Sequence, residues 1–350
     1  MSTHSLKAMT FGSAMVDIIV VLNSGSVEKL TLSNAQSQFL LIEPGQKLEA
    51  RSITTHIGGG ALNTAVSLSR LGCDVLPVVK AGEDASRDHV TGHCEQNGLS
   101  TDGIIVSNEE PTGSAVMIAS HERNAAIFTQ RGANTTLNDD DVGNITFAGF
   151  DIVHIAPLSG NSALCLPEIA KNAKEAGCFL SSNPGIRQIS KHPNTVLTAA
   201  RSMDLISIND TEAAALATCL SAQIPDLVWK NATADETILS ITGGNISLLQ
   251  FCEAMHKNGT QNILITFGKD GAWLFDGSKL HHQPIIETDV ASTAGAGDAF
   301  VSTLIFGLKS GLGSKLALSM AAHNSSSVVS HVNTTDGLMH YDDLLAKADQ

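Results

Sequence analysis

The chain has 350 residues, of which 43% are hydrophobic and 16% charged, a composition typical of a folded protein rather than a disordered one. Its formal net charge of −14 argues against a broad surface for nucleic acids or anionic membranes, because both need clustered Lys and Arg. We therefore expect no nucleic-acid partner and no membrane partner.

Targeting signals and cysteine chemistry are also limited by the sequence. The N-terminus lacks the pattern of a secretory signal, and no apolar run approaches the ~18 residues that span a bilayer. The six cysteines are scattered without a C-x-x-C pair, which predicts neither a zinc site nor a disulfide framework. These features indicate a cytoplasmic protein. The length allows one large α/β domain or two medium ones, and we predict one domain over residues 1–350.

Predicted strands alternate with predicted helices along the chain. Residues 9–22 indicate a strand pair or one long bent strand, and the apolar spacing over 61–72 predicts a helix that Gly72 ends. Such alternation predicts a mostly parallel sheet with helices on both faces. The further predicted strands are 74–82, 151–158, 178–185, 204–210, 262–268 and 271–275, and the further helices are 165–177, one beginning at Thr211, and 296–311.

Two stretches interrupt this alternation. Residues 17–56 and about 104–131 contain short segments with alternating apolar residues and no helical period. We predict that they form antiparallel strands outside the main sheet. Such strands are where a small lid over a site would be expected.

A run of small residues precedes the predicted helix at 296–311. Gly295, Ala296 and Gly297 leave the backbone N–H groups at the helix N-terminus uncovered, and the helix dipole favours an anion at the same point. Asp298 would repel an anion there, so its presence needs another reason, and a base that takes a proton from an attacking hydroxyl is one. In the plainer interpretation, Asp298 only caps the helix and the glycines only form a turn.

A second glycine-rich turn lies near the N-terminus. Gly58, Gly59 and Gly60 precede a predicted helix and allow a ligand to approach the backbone, and Asn63 offers an amide on the first turn. The alternative of a dinucleotide-binding turn is disfavoured because G-x-G-x-x-G is absent. The remaining alternative is an ordinary strand-to-helix turn.

Together these segments resemble a known family. The segment from Gly59 through Gly72 to Gly82 resembles the N-terminal signature of the ribokinase-like (phosphofructokinase B) carbohydrate kinases, and Gly295–Asp298 resembles their C-terminal signature. The resemblance covers most of the chain. It implies a three-layer α/β/α sandwich with a β-strand lid, and an ATP- and Mg²⁺-dependent kinase for a sugar or nucleoside hydroxyl.

The resemblance also implies roles for individual residues. Asp17, Gly58, Gly59, Asn63 and Asn134 match substrate-binding positions. Asp298 matches the general base, and residues 295–298, with Gly295, Ala296 and Gly297, match the anion hole. The positions implied for the nucleotide are Asn209, Thr266, Gly268, Gly271 and Asn324, with Glu212 at the metal. Plainer interpretations are a turn at Asp17, a helix cap at Asn209 and Glu212, and a strand-end turn at Thr266.

Several residues depart from the family pattern. Ser292 stands where an aspartate often opens the C-terminal signature, and Ala294 where a threonine is common, so activation by a monovalent cation is doubtful. Arg87 replaces a usual glycine. Residues 181–185 differ from the Asp-x-Asn-x-Arg run of many sugar kinases, which disfavours a typical fructokinase.

The acceptor and the assembly stay open at this level. A nucleoside would need a stacking surface, for which Phe11, Phe39 and Phe128 are candidates. A binding protein that has lost turnover is a further alternative, as is a nicotinamide-dependent oxidoreductase, which lacks its phosphate fingerprint here. Many members of the family that this chain resembles form dimers through their lid strands, so a homodimer of this kind is one arrangement that the resemblance implies.

Overall fold

The computed structural model describes residues 5–23, 28–31, 38–41, 45, 47–119, 125–224, 227–233 and 236–348. Its strands are β1 (Lys7–Phe11), β2 (Met15–Leu22), β3 (Glu28–Thr31), β4 (Gln38–Leu41), β5 (Ala50–Gly58), β6 (Asp74–Gly82), β7 (Ile104–Ser107), β8 (Ser114–Ala119), β9 (Ala125–Gln130), β10 (Ile152–Ile155), β11 (Phe179–Ser182), β12 (Leu205–Asn209), β13 (Ile238–Ile241), β14 (Gly244–Ser247), β15 (Asn262–Thr266), β16 (Ala272–Phe275) and β17 (Leu280–Gln283).

Helices follow most of these strands. They are α1 (Gly60–Arg70), α2 (Ala85–Gln96), α3 (Asp139–Gly143), α4 (Leu166–Glu175), α5 (Ile186–Lys191), α6 (Pro193–Ala200), α7 (Asp210–Gln223), α8 (Leu248–Lys257), α9 (Ala296–Lys309), α10 (Ser314–Val329) and α11 (Tyr341–Ala348). The predicted helix over 61–72 is α1, and Gly72 beyond its end has a φ of 96°, a conformation that glycine adopts without steric strain.

The central sheet has the order β17-β16-β15-β12-β11-β10-β1-β6-β7. Seven strands of this sheet (β15, β12, β11, β10, β1, β6 and β7) run parallel, and β16 and β17 form an antiparallel edge beside β15. Adjacent residues of one strand face opposite layers. Val153 belongs to the core cluster that contains residues of α4, α6 and α7, whereas Ile152 belongs to the cluster that contains residues of α1, α9 and α10. The predicted three-layer α/β/α sandwich is confirmed.

The parallel strands all end at the same edge of the sheet. Strands β1, β10, β11, β12 and β15 end there at Phe11, Ile155, Ser182, Asn209 and Thr266. Ligands of open α/β sheets bind at this carboxyl edge. The fold therefore collects residues from distant parts of the chain where a site is expected.

A second, four-stranded sheet has the order β5-β2-β8-β9 and contains strands from both predicted lid stretches. The predicted strand pair over 9–22 divides between the two sheets, with β1 in the central one and β2 in this one. The lid prediction was wrong for 104–107, because β7 pairs with β6 at the edge of the central sheet. Within the two stretches, residues 24–27, 32–37, 42–44, 46 and 120–124 lie outside the described residues.

The helices and the cysteines bear on membrane insertion and on disulfide pairing. Among the helices of the described ranges, none combines the length and the apolarity that crossing a membrane requires. All six cysteines are free thiols, and five of them are buried.

Candidate functional site

The N-terminus of α9 is built on a glycine that no other residue replaces without strain. Gly295 is the N-cap with a φ of 79°, and a Cβ added to it would lie 2.8 Å from Cβ of Thr334. The N–H of Ala299 donates to the carbonyl of Gly295 at 2.9 Å, which is the first turn of the helix. The N–H of Ala296 donates to the carbonyl of Thr293 at 3.4 Å, whereas the N–H groups of Gly297 and Asp298 have no intrahelical acceptor and remain available to an anion.

Asp298 lies on the first turn of α9 and turns toward α1. Its Oδ2 accepts a hydrogen bond from Nδ2 of Asn63 at 2.8 Å. Burial raises the pKa of Asp298 to about 6, while the bond from Asn63 acts in the opposite direction. A Cβ added to Gly60 would lie 3.8 Å from its Oδ1, so the carboxylate stands over bare backbone. The Asp298 carboxylate is therefore held in place, and its pKa is shifted toward neutral pH.

Asn63 is 6% exposed and both ends of its amide are bonded inside the protein. Nδ2 donates to Asp298, and Oδ1 accepts from the hydroxyl of Thr334 at 2.8 Å. The sequence predicted a sugar contact for Asn63. In the structure its amide contacts Asp298 and Thr334, and the bond to Asp298 orients the carboxylate.

Asp17 completes this side of the site. A Cβ added to Gly58 would lie 2.7 Å from Oδ2 of Asp17 and 3.9 Å from Oδ1 of Asn63, so the two side chains meet around a glycine. Burial raises the pKa of Asp17, and the neighbouring His56 acts in the opposite direction. Gly59, with a φ of 104°, passes so close to the carbonyl of Ser13 that a side chain would collide with it. The glycines thus bring β2, α1 and α9 together.

A cavity of about 660 Å³ lies on the other side of the α9 N-terminus. Thr266, Gly268 and Gly271 line one wall, and Ala296, Gly297 and Phe300 line another. A Cβ added to Gly297 would meet no described atom within 4 Å. The free N–H groups of α9 therefore stand between this cavity and the side that carries Asp298, Asn63 and Asp17.

Most of this chain matches a known protein family. A family model described as pfkB family carbohydrate kinase matches residues 19–340. The chain belongs to this family. It is accordingly a phosphotransferase with an alcohol group as acceptor, in a family of kinases that use ATP.

The chain is similar to known proteins over most of its length and to solved structures over nearly all of it. A ribokinase of Staphylococcus aureus is 24% identical over 299 residues, covering 83% of this chain and 86% of the relative. The structure of Arabidopsis thaliana ribokinase complexed with ribose and ATP has a TM-score of 0.73 at 24% identity, over 99% of this chain and 100% of that one. The nucleoside kinase of Methanocaldococcus jannaschii has a TM-score of 0.72 at 19% identity, over 99% of both chains. These likenesses show the fold.

Two asparagines do not occupy the positions that the resemblance to the pfkB family implied. Asn134 is 7% exposed, and its amide exchanges two hydrogen bonds with the backbone of Ala14, at 2.9 and 2.8 Å. It fixes the connection between β1 and β2 and is not free to bind substrate. Asn324 is fully buried, donates to the hydroxyl of Thr303 at 2.8 Å and accepts from the N–H of Met339 at 2.9 Å. The amide of Asn324 is therefore unavailable to a nucleotide.

Asn209 and Glu212 form a capping box at the start of α7, the plainer of the two interpretations of this motif. The two carboxylate oxygens of Glu212 accept from the N–H groups of Ile186, at 3.2 Å, and Asn209, at 2.9 Å. Burial raises the pKa of Glu212, and these backbone bonds oppose the rise. Within the described ranges, no three His, Cys, Asp or Glu residues group around a possible metal position.

Two of the phenylalanines considered as stacking surfaces for a nucleobase lie away from the face that carries Asp17. Phe11 is fully buried and stacks on Phe147 with 5.7 Å between ring centroids. Phe128 is 62% exposed but pairs with Val116, so it lies on the face of the second sheet opposite to Asp17. The side chain of Phe39 lies outside the described residues.

Sequence reasoning missed several residues of the site. Thr334 carries no motif, and its contact with Asn63 joins positions 271 residues apart. Ile285 and Val290 expose apolar surface in the cavity wall, and an apolar run in a loop was the available signal. Among the described residues Oδ1 of Asn183, directly after β11, is buried without a hydrogen-bond partner, which suits a donor on a ligand or a water.

Proposed function

We propose that the protein transfers the γ-phosphoryl group of ATP to a hydroxyl of a sugar or nucleoside, with Asp298 as general base. One observation carries the proposal. The Asp298 carboxylate, held by Asn63 at 2.8 Å, lies directly beside the N–H groups at the start of α9. A base and an anion site in contact are needed where a hydroxyl loses its proton next to a migrating phosphoryl group.

The chain's own residues divide the work between the two sides of α9. ATP supplies the phosphoryl group, and Mg²⁺ neutralises charge on its phosphates. Asp17 accepts hydrogen bonds from the acceptor, and Asp298 takes the proton of the attacking hydroxyl. The N–H groups of residues 295–298 donate to the phosphoryl oxygens in the transition state. Thr266, Gly268 and Gly271 hold the nucleotide, and Glu212 with Asn209 is the position for the waters of Mg²⁺.

The size and lining of the cavity fit the nucleotide. Its 660 Å³ lies within the ~300–1,000 Å³ typical of small-molecule sites. Ile285 and Val290 supply apolar wall, and the start of α9 supplies N–H donors for phosphates. The mechanism includes no monovalent cation, because Ser292 and Ala294 bring no carboxylate to this segment.

The second sheet favours a nucleoside as the acceptor. Ile19, Met117 and Ile127 are cross-strand neighbours and lie on the same face as Asp17, two residues further along the strands. This distance is about 7 Å. A nucleoside has a polar sugar and an apolar planar base, which matches a carboxylate followed by an apolar strip. Ile127 is 58% exposed, so the strip is accessible.

The test is a screen of sugars and nucleosides with ATP and Mg²⁺ that follows ADP release. We expect release above the background rate with at least one acceptor, and release slower by ~10²–10⁴-fold from Asp298→Asn with the same acceptor. Met117→Ser should raise the KM for a nucleoside and leave the KM for the matching free sugar unchanged. Tight acceptor binding without ADP release would reject the proposal and indicate a binding protein.

The remaining predictions concern the whole chain. We propose that residues 1–350 form one domain in a cytoplasmic protein whose six thiols are reduced. The second sheet would close over the acceptor and exclude water. Its apolar face can also pair with a second copy of the chain, and light scattering after gel filtration would show a dimer that Ile127→Asp dissociates.

A further inference from the structure

The loop between α10 and α11 is fixed to the body of the protein at several points. The N–H of Met339 donates to Asn324 at 2.9 Å, and the Arg70 guanidinium donates to the carbonyl of Leu338 at 2.6 Å. Gly337 lies against the carbonyl of Ser327 with no room for a side chain. These contacts hold Thr334, inside the loop, in a defined place.

Thr334 lies against both glycine-rich segments of the site. Its hydroxyl donates to Oδ1 of Asn63 at 2.8 Å. Its Cβ lies 2.8 Å from the point where a Cβ of Gly295 would be, and its hydroxyl lies 3.8 Å from the corresponding point on Gly58. No catalytic group of the proposed mechanism comes from this loop, so these contacts need a separate explanation.

The direction of the hydrogen bonds supplies that explanation. An ionised Asp298 carboxylate can only accept, so Asn63 must present its Nδ2 to it. The amide then presents Oδ1 on its other side, and the Thr334 hydroxyl donates to that oxygen. If the hydroxyl were absent, the amide could turn by 180° and place its oxygen against the carboxylate.

We propose that Thr334 is a positioning residue that fixes the Asn63 amide so that it donates to the catalytic carboxylate of Asp298. The inference rests on the proposed role of Asp298 as base. Thr334 itself contacts neither substrate nor phosphate. Its effect reaches the reaction through Asn63, and it should therefore change turnover and its pH dependence rather than acceptor affinity.

The charged groups around this chain of bonds are few. Asp17 lies on β2 with His56 opposite it on β5, Arg70 belongs to α1, and Asp336 belongs to the loop. The pKa of Asp298 is set by burial and by the bond from Asn63. Loss of that donor removes the influence that lowers the pKa, so the pKa rises. The acid limb of the pH–rate profile then moves to higher pH.

The experiment compares Thr334→Val with wild type over pH 5–9, with ATP and the best acceptor of the screen. A hydrogen bond to a charged group is worth ~1.5–3 kcal/mol, and ~1.36 kcal/mol is one pKa unit, so the acid limb should move up by about one to two pH units. At pH 6.5 kcat should fall by ~3-fold for a rise of one unit and by ~25-fold for a rise of two units, while the acceptor KM changes less than ~3-fold. Thr334→Ser, which keeps the hydroxyl, should restore the wild-type profile.

Thr335→Val is the matched control, because the Thr335 hydroxyl bonds only the neighbouring Asn333, at 3.3 Å. It should leave the acid limb in place.

If Thr334→Val does not fold, Thr334→Ala removes the hydroxyl without a second methyl group near Gly295. A wild-type acid limb in a folded variant without the hydroxyl overturns the proposal, as does a change in KM alone. If Asp298→Asn is inactive while Thr334→Val resembles wild type, only the inference about Thr334 fails; active Asp298→Asn overturns the proposed function.

Discussion

Replacing Asp298 by Asn tests two separate effects of this carboxylate, one on the stability of the fold and one on the rate of the reaction. The asparagine is isosteric, and its Oδ1 still accepts the hydrogen bond from Asn63 that the carboxylate accepts at 2.8 Å. It cannot take a proton from a hydroxyl. General-base assistance contributes ~10²–10⁴-fold, so we expect kcat to fall by that factor with little change in the acceptor KM.

The same variant should be more stable than wild type at alkaline pH. Burial raises the pKa of Asp298 from 3.8 to about 6, which means that the folded state disfavours the ionised form. The stability that the protonated carboxyl provides is present below pH 3.8, declines as the pH rises, and is lost above pH 6. The full difference is about 3 kcal/mol, and the partial exposure of the side chain reduces it to about 1–3 kcal/mol.

Thermal unfolding measures this difference. An unfolding entropy of ~2.1 cal/mol/K per residue gives this chain about 0.7 kcal/mol/K, so 1 kcal/mol corresponds to about 1.4 °C. We expect the Tm of Asp298→Asn to exceed that of wild type by about 2–4 °C at pH 8, and by about half as much at pH 5. Asp276→Asn is a useful contrast, because hydrogen bonds hold the pKa of Asp276 below its ordinary value, so its loss should lower the Tm. An unchanged Tm for Asp298→Asn at pH 8, or a kcat within tenfold of wild type, would refute the reasoning.

Three further variants test separate parts of the site. Asp17→Ala removes the group that accepts from the acceptor's hydroxyls, so calorimetry should detect no acceptor binding while ATP still binds; unchanged acceptor affinity would contradict its role. Gly295→Ala places a side chain at a φ of 79° and against Thr334, so it should lose at least ~1–2 kcal/mol in denaturant unfolding together with most turnover. Asn324→Leu leaves the half-buried Met339 N–H without its acceptor and should lose about 1–3 kcal/mol of stability at an unchanged KM for ATP; a higher KM alone would restore Asn324 to the nucleotide site.

Local features of the sequence determined much of this protein. Small residues before an apolar helix predicted the start of α9 with Asp298 on its first turn, and the alternation of strands and helices predicted the layered sheet. These features depend on neighbouring residues, since helix starts, glycine conformations and hydrophobic periods act over a few positions.

Only the tertiary structure decided which polar side chains are available to a ligand. Asn134 and Asn324 matched family positions, yet their amides are bonded to the backbone of Ala14 and to Thr303 and Met339. The amide of Asn63 contacts Asp298 and also Thr334, 271 residues away, while its contact with a substrate stays a prediction. An amide can satisfy its hydrogen bonds with a ligand or with the protein, and the choice depends on which groups from distant segments the fold brings within about 3 Å.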